Sequence, residues 1–167
     1  IDKKLLMYTL EGHMDEVNFV SVSSDGKWLA SGSTDKTVKL WDMDKRTLSC
    51  VFSGYDEEVR NVAFTADTKI FVFSSGNKIY LGDIELRTPV CILEGHEDKI
   101  RALALSHDGR LLCSAGNDLC LNVWDLESKK LLYTLSWQGE PVKTISISPR
   151  GDLMAAAAGD KINIWDM

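Results

Sequence analysis

One period governs this sequence. Trp41-Asp42, Gly82-Asp83, Trp124-Asp125 and Trp165-Asp166 follow one another at steps of 41, 42 and 41 residues. Gly12-His13, Gly54-Tyr55, Gly95-His96 and Trp137-Gln138 keep the same beat, as do the turn segments at 23–26, 65–68, 106–109 and 148–151. Three markers in phase divide nearly all of the 167 residues into four repeats of about 42. Repeats of this length set the architecture before any other feature does.

Within each repeat, short apolar runs rich in β-formers alternate with turn signals. The first runs are residues 17–22, 59–64, 100–105 and 142–147. A second follows each turn, at 28–31, 70–73, 111–114 and 153–156, and a third ends at the Trp-Asp position, as in 37–41. A fourth precedes each Gly-His position, at 5–10, 48–52, 90–93 and 131–135. The pattern predicts four strands per repeat, no helix of useful length and no linker.

Order, spacing and turn chemistry together make the sequence resemble the WD-repeat (WD40) family of β-propellers, whose repeat carries Gly-His near its start and Trp-Asp near its end. The resemblance covers essentially the whole chain. It implies an all-β propeller of four-stranded antiparallel blades, with repeats at about 5–46, 47–87, 88–130 and 131–167. A fold does not by itself imply a function. The first and third repeats keep the full motif. The second has Tyr55 for His and Gly82 for Trp, and the fourth has Trp137-Gln138 in place of Gly-His. Those two also have shorter turns before the last motif strand, so strong and weak blades alternate.

The family's blades carry a hydrogen-bonded tetrad, which the resemblance maps onto His13, Ser31, Asp35 and Trp41, and again onto His96, Ser114, Asp118 and Trp124. An indole N–H only donates, a Ser hydroxyl relays, and His bridges to a carboxylate. Ser, His and Asp together suggest a hydrolase triad, but neither serine sits in a nucleophile-elbow glycine pattern. The expected reading is structural, with no catalytic residue. His107 falls in a turn and reads as a solvated side chain. No glycine-rich phosphate loop is present, and glycines are spread one or two per turn.

Lys and Arg number 19 against 25 Asp and Glu, for a net charge of −6 and a pI near 5.0. That balance argues against nucleic-acid binding as the main activity, because counterion release needs clustered cations. No apolar run approaches the roughly 18 residues that span a bilayer. Cysteines 50, 91, 113 and 120 form no Cys-x-x-Cys pair, and with three histidines they give no metal or cofactor site. They read as reduced apolar filler in a cytoplasmic or nuclear protein, although Cys113 and Cys120 flank a turn where a cross-strand contact is open.

Negative charge collects on one rim. The Gly-His loops, taken as 11–16, 53–58, 94–99 and 136–141, carry ten carboxylates against one base, Lys99. Such a face attracts basic peptides or protein surfaces. By the resemblance, contact candidates are Met14, Glu16, Asp56, Glu58, Glu97 and Lys99; Trp137, in the loop that carries Gly-His elsewhere, is a candidate anchor for a partner, with local packing the favoured reading. The leading expectation is a non-catalytic protein-interaction scaffold. The alternatives are a regulatory or targeting propeller fragment of a larger enzyme, or a reader of modified basic tails, for which Tyr55 and Trp137 are the aromatic candidates on that rim.

The chain begins Ile1-Asp2-Lys3-Lys4, which suggests an excised or trimmed chain. It opens with an outer-type strand and stops after a third strand, so the leading strand must complete a last blade. The expected solution is a homodimer in which each chain lends its first strand to the other, closing an eight-bladed ring. The alternative is half of a longer propeller.

Overall fold

Four apolar runs separated by short turns have only one economical arrangement, an antiparallel meander, and this is what each repeat forms. The computed structural model describes residues 5–167. The first sheet contains β1 (Val17–Val22), β2 (Trp28–Ser33), β3 (Val38–Asp42) and β4 (Thr47–Phe52) in that order. The second contains β5 (Val59–Phe64), β6 (Ile70–Ser75), β7 (Lys78–Asp83) and β8 (Thr88–Glu94). The third contains β9 (Ile100–Leu105), β10 (Leu111–Gly116), β11 (Cys120–Asp125) and β12 (Lys130–Ser136). The fourth has three strands, β13 (Thr144–Ile147), β14 (Leu153–Ala158) and β15 (Lys161–Asp166).

The turns after the innermost strands share one chemistry. Ser23 donates to Asp25 at 2.6 Å, Thr65 to Asp67 at 2.7 Å, Ser106 to Asp108 at 2.6 Å and Ser148 to Asp152 at 2.6 Å. The closing residue needs a left-handed backbone. Gly26, Gly109 and Gly151 supply it, and Thr68 adopts it at φ 59° in the second sheet.

Two strand expectations need correction. β13 begins at Thr144 rather than at 142, with the Lys143 amide donating to Ala157 O at 2.8 Å just ahead of it. Residues 5–10 form no strand. A strand exists only beside a partner edge, and in this single chain the segment lies elsewhere. Tyr8 donates to the Met43 sulfur at 3.8 Å, and the Arg46 guanidinium stands 5.0 Å above the Tyr8 ring. The described residues therefore do not close a ring within one chain.

Consecutive sheets pack face to face and share three cores. Leu40, Val38 and Phe52 of the first sheet meet Val59, Val62 and Phe73 of the second. Val72, Ile79 and Leu93 meet Ile100, Leu112 and Trp124. Leu121, Val123 and Cys113 meet Val142, Met154 and Ala156. Sheets two and three thus bury both faces, whereas the ends do not. Val20 and Val22 on β1 are 55% and 54% exposed, and Ile162 and Ile164 on β15 are 71% and 67% exposed. Cys113 stands across from Val123 and Cys120 from Ser136, so the cross-strand cysteine contact is not made.

The second sheet shows how a missing Trp is replaced. Leu29 faces Trp41 and Leu112 faces Trp124 across adjacent strands, but Phe71 faces Gly82. The bulk has moved to the partner strand. A methyl group on Gly82 would sit 2.4 Å from Phe71 Cζ, so only glycine fits. Gly82→Ala is expected to cost about 1–3 kcal/mol by overpacking, and much less in a Phe71→Leu background. Urea midpoints of the four proteins check this; equal losses in both backgrounds contradict the exchange.

Candidate functional site

The structure brings both expected side-chain sets together. In the first sheet, Trp41 Nε1 donates to Ser31 Oγ at 2.9 Å, Ser31 Oγ meets His13 Nε2 at 2.7 Å, and His13 Nδ1 meets Asp35 Oδ2 at 2.8 Å. The third sheet repeats it. Trp124 donates to Ser114 at 2.8 Å, Ser114 meets His96 Nε2 at 2.8 Å, and His96 Nδ1 meets Asp118 Oδ2 at 2.8 Å. Donor accounting gives the chain a direction. The indole donates to Ser, the Ser hydroxyl then donates to Nε2, and the ring proton on Nδ1 goes to the carboxylate. Both serines are buried with their hydroxyls engaged, which is the opposite of an exposed nucleophile.

Each carboxylate also reaches the rim. Asp35 Oδ2 accepts the Met14 amide at 2.9 Å, and Asp118 Oδ2 accepts the Glu97 amide at 2.9 Å. The buried network therefore fixes the first loop residue beyond each His. Burial opposes ionisation of Asp35, but hydrogen bonds from Thr37, the Met14 amide and His13 outweigh it and hold the carboxyl far below its usual range. Asp35 and Asp118 ride on loops at 34–37 and 117–119, between the second and third strands of their sheets. In sheets two and four that loop is a two-residue turn, Gly76-Asn77 or Gly159-Asp160.

Those sheets solve the interior differently. Tyr55, in the His position, packs against Phe73 and Tyr80 at ring-centroid distances of 5.1 and 4.7 Å. Its hydroxyl is buried without a hydrogen-bond partner among the described residues, and burial pushes its pKa up to about 12. By register Phe73 holds the tetrad's Ser position, and Ser74 next to it accepts from Asn61 Nδ2 at 3.0 Å. Trp137 takes the locally packed alternative rather than the rim-anchor one. It is 7% exposed and its ring lies 5.6 Å from that of Trp165. The fourth sheet has Ala156 in the tetrad's Ser position, and the two indoles pack on each other.

Met14, Glu16, Asp56 and Glu97 are exposed on the rim, Met14 by 90%. Glu58 is paired with Arg60, whose Nε lies 3.1 Å from Oε1, and Lys99 Nζ is 3.1 Å from Glu57 Oε2. His107 is exposed in its turn. The four cysteines are free, and burial pushes the Cys113 thiol up to about 12. Among the described residues no group of His, Cys, Asp and Glu is placed to hold a metal, and no helix is long and apolar enough to cross a membrane.

Three cations outside the expected site residues also converge. Arg60, Arg101 and Lys143, with Asn18, line one cleft of about 350 Å³ faced by all four inner strands. The signal was present in the sequence, since positions 18, 60, 101 and 143 keep the repeat period at steps of 42, 41 and 42.

Truncating a tetrad member orphans buried partners, whereas removing the unpaired hydroxyl of Tyr55 does not. His96→Ala and Asp118→Ala are expected to cost about 2–4 kcal/mol, and Tyr55→Phe to be neutral or stabilising. Denaturant midpoints decide; a loss in Tyr55→Phe equal to that in His96→Ala contradicts the assignment.

Comparison with known proteins agrees with this geometry. The profile of the WD40 family (WD domain, G-beta repeat) matches residues 4–42, 87–125 and 129–166, more than half of the chain. The stretch between the first two matches holds Tyr55 and Gly82. WD repeat-containing protein SL1-17 of Schistosoma mansoni is 26% identical over 96% of this chain and 54% of its own length. Nuclear distribution protein PAC1 of Arthroderma otae is 26% identical over 96% of this chain and 38% of its own. The U3 small nucleolar RNA-associated protein 15 homolog of Xenopus tropicalis is 32% identical over 86% of this chain and 28% of its own. The chain thus spans about half or less of these relatives. WD40 proteins are generally non-catalytic scaffolds that mediate protein–protein interactions. With that profile match over more than half of its length, two of the matched stretches holding the Trp–Ser–His–Asp networks, this chain belongs to the WD40 repeat family.

Proposed function

We propose that this chain is a non-catalytic interaction scaffold whose acidic rim takes basic peptides or basic surfaces of partner proteins. The observation that carries the reading is the exposure of Glu16, Asp56 and Glu97 on loops of three successive sheets, two of them tied down through the Met14 and Glu97 amides. Loops held in this way present charge without an ordering cost on binding. Ser31 and Ser114 are buried and bonded to indoles, which supports a structural role over nucleophilic chemistry. A reader of modified tails is less well supported, since Tyr55 packs on Phe73 and Tyr80 and Trp137 is buried. Residence in cytoplasm or nucleus accords with relatives named for nuclear distribution and small nucleolar RNA association, whereas none of the names reported above favours a regulatory or targeting fragment of a larger enzyme. Glu16→Lys/Asp56→Lys/Glu97→Lys is expected to weaken binding of a Lys/Arg-rich peptide by at least about tenfold with an unchanged melting temperature. Unchanged affinity in fluorescence anisotropy sinks the reading.

A second reading concerns closure. The fourth sheet ends at β15, which pairs with β14 alone, while residues 5–10 pair with no strand and Leu5, Leu6 and Met7 are exposed. Edge and segment are complementary, which favours two copies exchanging residues 5–10; further blades of a longer chain would cover the same edge. Light scattering at micromolar concentration is expected to give twice 18.6 kDa, falling to a single chain when residues 1–10 are deleted. A stable mass near 18.6 kDa in the intact chain contradicts the exchange.

A further inference from the structure

We propose that Arg60, Arg101 and Lys143 form an anion-binding site on the inner-strand side of the sheets, taking a phosphate or carboxylate side chain of a partner polypeptide. This goes beyond the acidic rim and does not depend on it. The three residues occupy equivalent places in sheets two, three and four, each within two residues of the start of an innermost strand. β5 packs beside β9 and β9 beside β13, so the three are brought to one cleft rather than spread over the surface.

The cleft of about 350 Å³ is lined by these three cations and by no carboxylate. In a chain with net charge −6, three cations facing one cleft run against the background, and of the three only Arg60 has an ion-pair partner among the described residues, Glu58. The head groups are partly pre-positioned. Arg60 is held from behind by Glu58, and Arg101 Nε donates to Asn117 Oδ1 at 2.7 Å, which leaves its terminal N–H groups to point elsewhere. The Lys143 side chain has no ion-pair partner among the described residues, while its amide is committed to Ala157 O at 2.8 Å. Asn18 lines the same cleft, but its Nδ2 donates to Val59 O and Thr34 Oγ1, both at 3.1 Å.

Two guanidinium groups and an ammonium around a concave space suit a tetrahedral or forked oxyanion, since planar N–H pairs match two oxygens at once. Glu140 stands in an adjoining cleft with Arg60, Arg101 and Lys143, where a carboxylate repels a second anion. The site therefore favours one anionic side chain over an extended polyanion.

The test uses the whole chain and three labelled peptides with the same neutral flanks, carrying a central phosphoserine, a serine or three glutamates. Anisotropy is expected to show binding of at least one anionic peptide and none of the serine peptide. Arg101→Ala/Lys143→Ala should weaken that binding by at least about tenfold. Lys143→Arg should retain it, and Arg110→Ala/Lys129→Ala in turns on the opposite rim should leave it unchanged. Which anionic peptide binds tighter identifies phosphate or carboxylate as the source. The proposal is overturned if neither anionic peptide binds, if the opposite-rim variant loses as much, or if a single-stranded RNA oligonucleotide binds more tightly at the same residues.

Discussion

A buried carboxylate that accepts from two directions ties the inside of this protein to the surface it presents. Asp35 takes a hydrogen bond from the His13 ring on one side and from the Met14 amide on the other, and Asp118 does the same for His96 and Glu97. Each His in turn meets a Ser whose hydroxyl holds a Trp N–H from the neighbouring strand. Four positions far apart in sequence are thereby locked to one geometry, and the rim loop is the last link. Because every member is buried and paired, removing one leaves the others unsatisfied. The acidic loops of the first and third sheets are thus tied to the buried networks of those sheets.

Sheets without this network reach the same shape by packing. The second sheet gives up Trp and the acid-bearing loop together, fills the space with Phe71 opposite Gly82, and packs Tyr55 edge-on against the stacked Phe73 and Tyr80 where the polar chain would run. The fourth packs Trp137 on Trp165. The shorter turn and the lost network belong together, because the extra loop residues are what carry the Asp. Polar and aromatic solutions alternate along the chain, which spaces the anchored rim loops one sheet apart.

Much of this was legible in the sequence, for a physical reason. Strand runs such as 17–22, 59–64 and 100–105 lie between turns whose Ser/Thr and Asp bond to each other locally, so their limits are set by neighbours in sequence. The two tetrads followed from a repeat that places the same residues at the same height in each sheet. Other features depend on partners that a linear reading does not supply. Residues 5–10 have strand chemistry but pair with no strand in one chain. Trp137 looks like a loop aromatic until Trp165 is brought beneath it, and the role of Phe71 appears only once the β6–β7 register sets it against Gly82. The cation row was written in the same period as the tetrads. A single Arg or Lys on a strand nevertheless reads as a solvated side chain, and convergence becomes visible only when the inner strands share one cleft.

The coupling from buried network to rim is tested most directly by amide hydrogen exchange at Met14 and Glu97. In the intact protein both amides should be protected, since each donates to a buried-network carboxylate at 2.9 Å. Asp118→Ala should speed exchange at Glu97 by at least about tenfold and leave Met14 protected, because the two networks lie in separate sheets. Unchanged protection at Glu97, or an equal rise at Met14, would contradict the account.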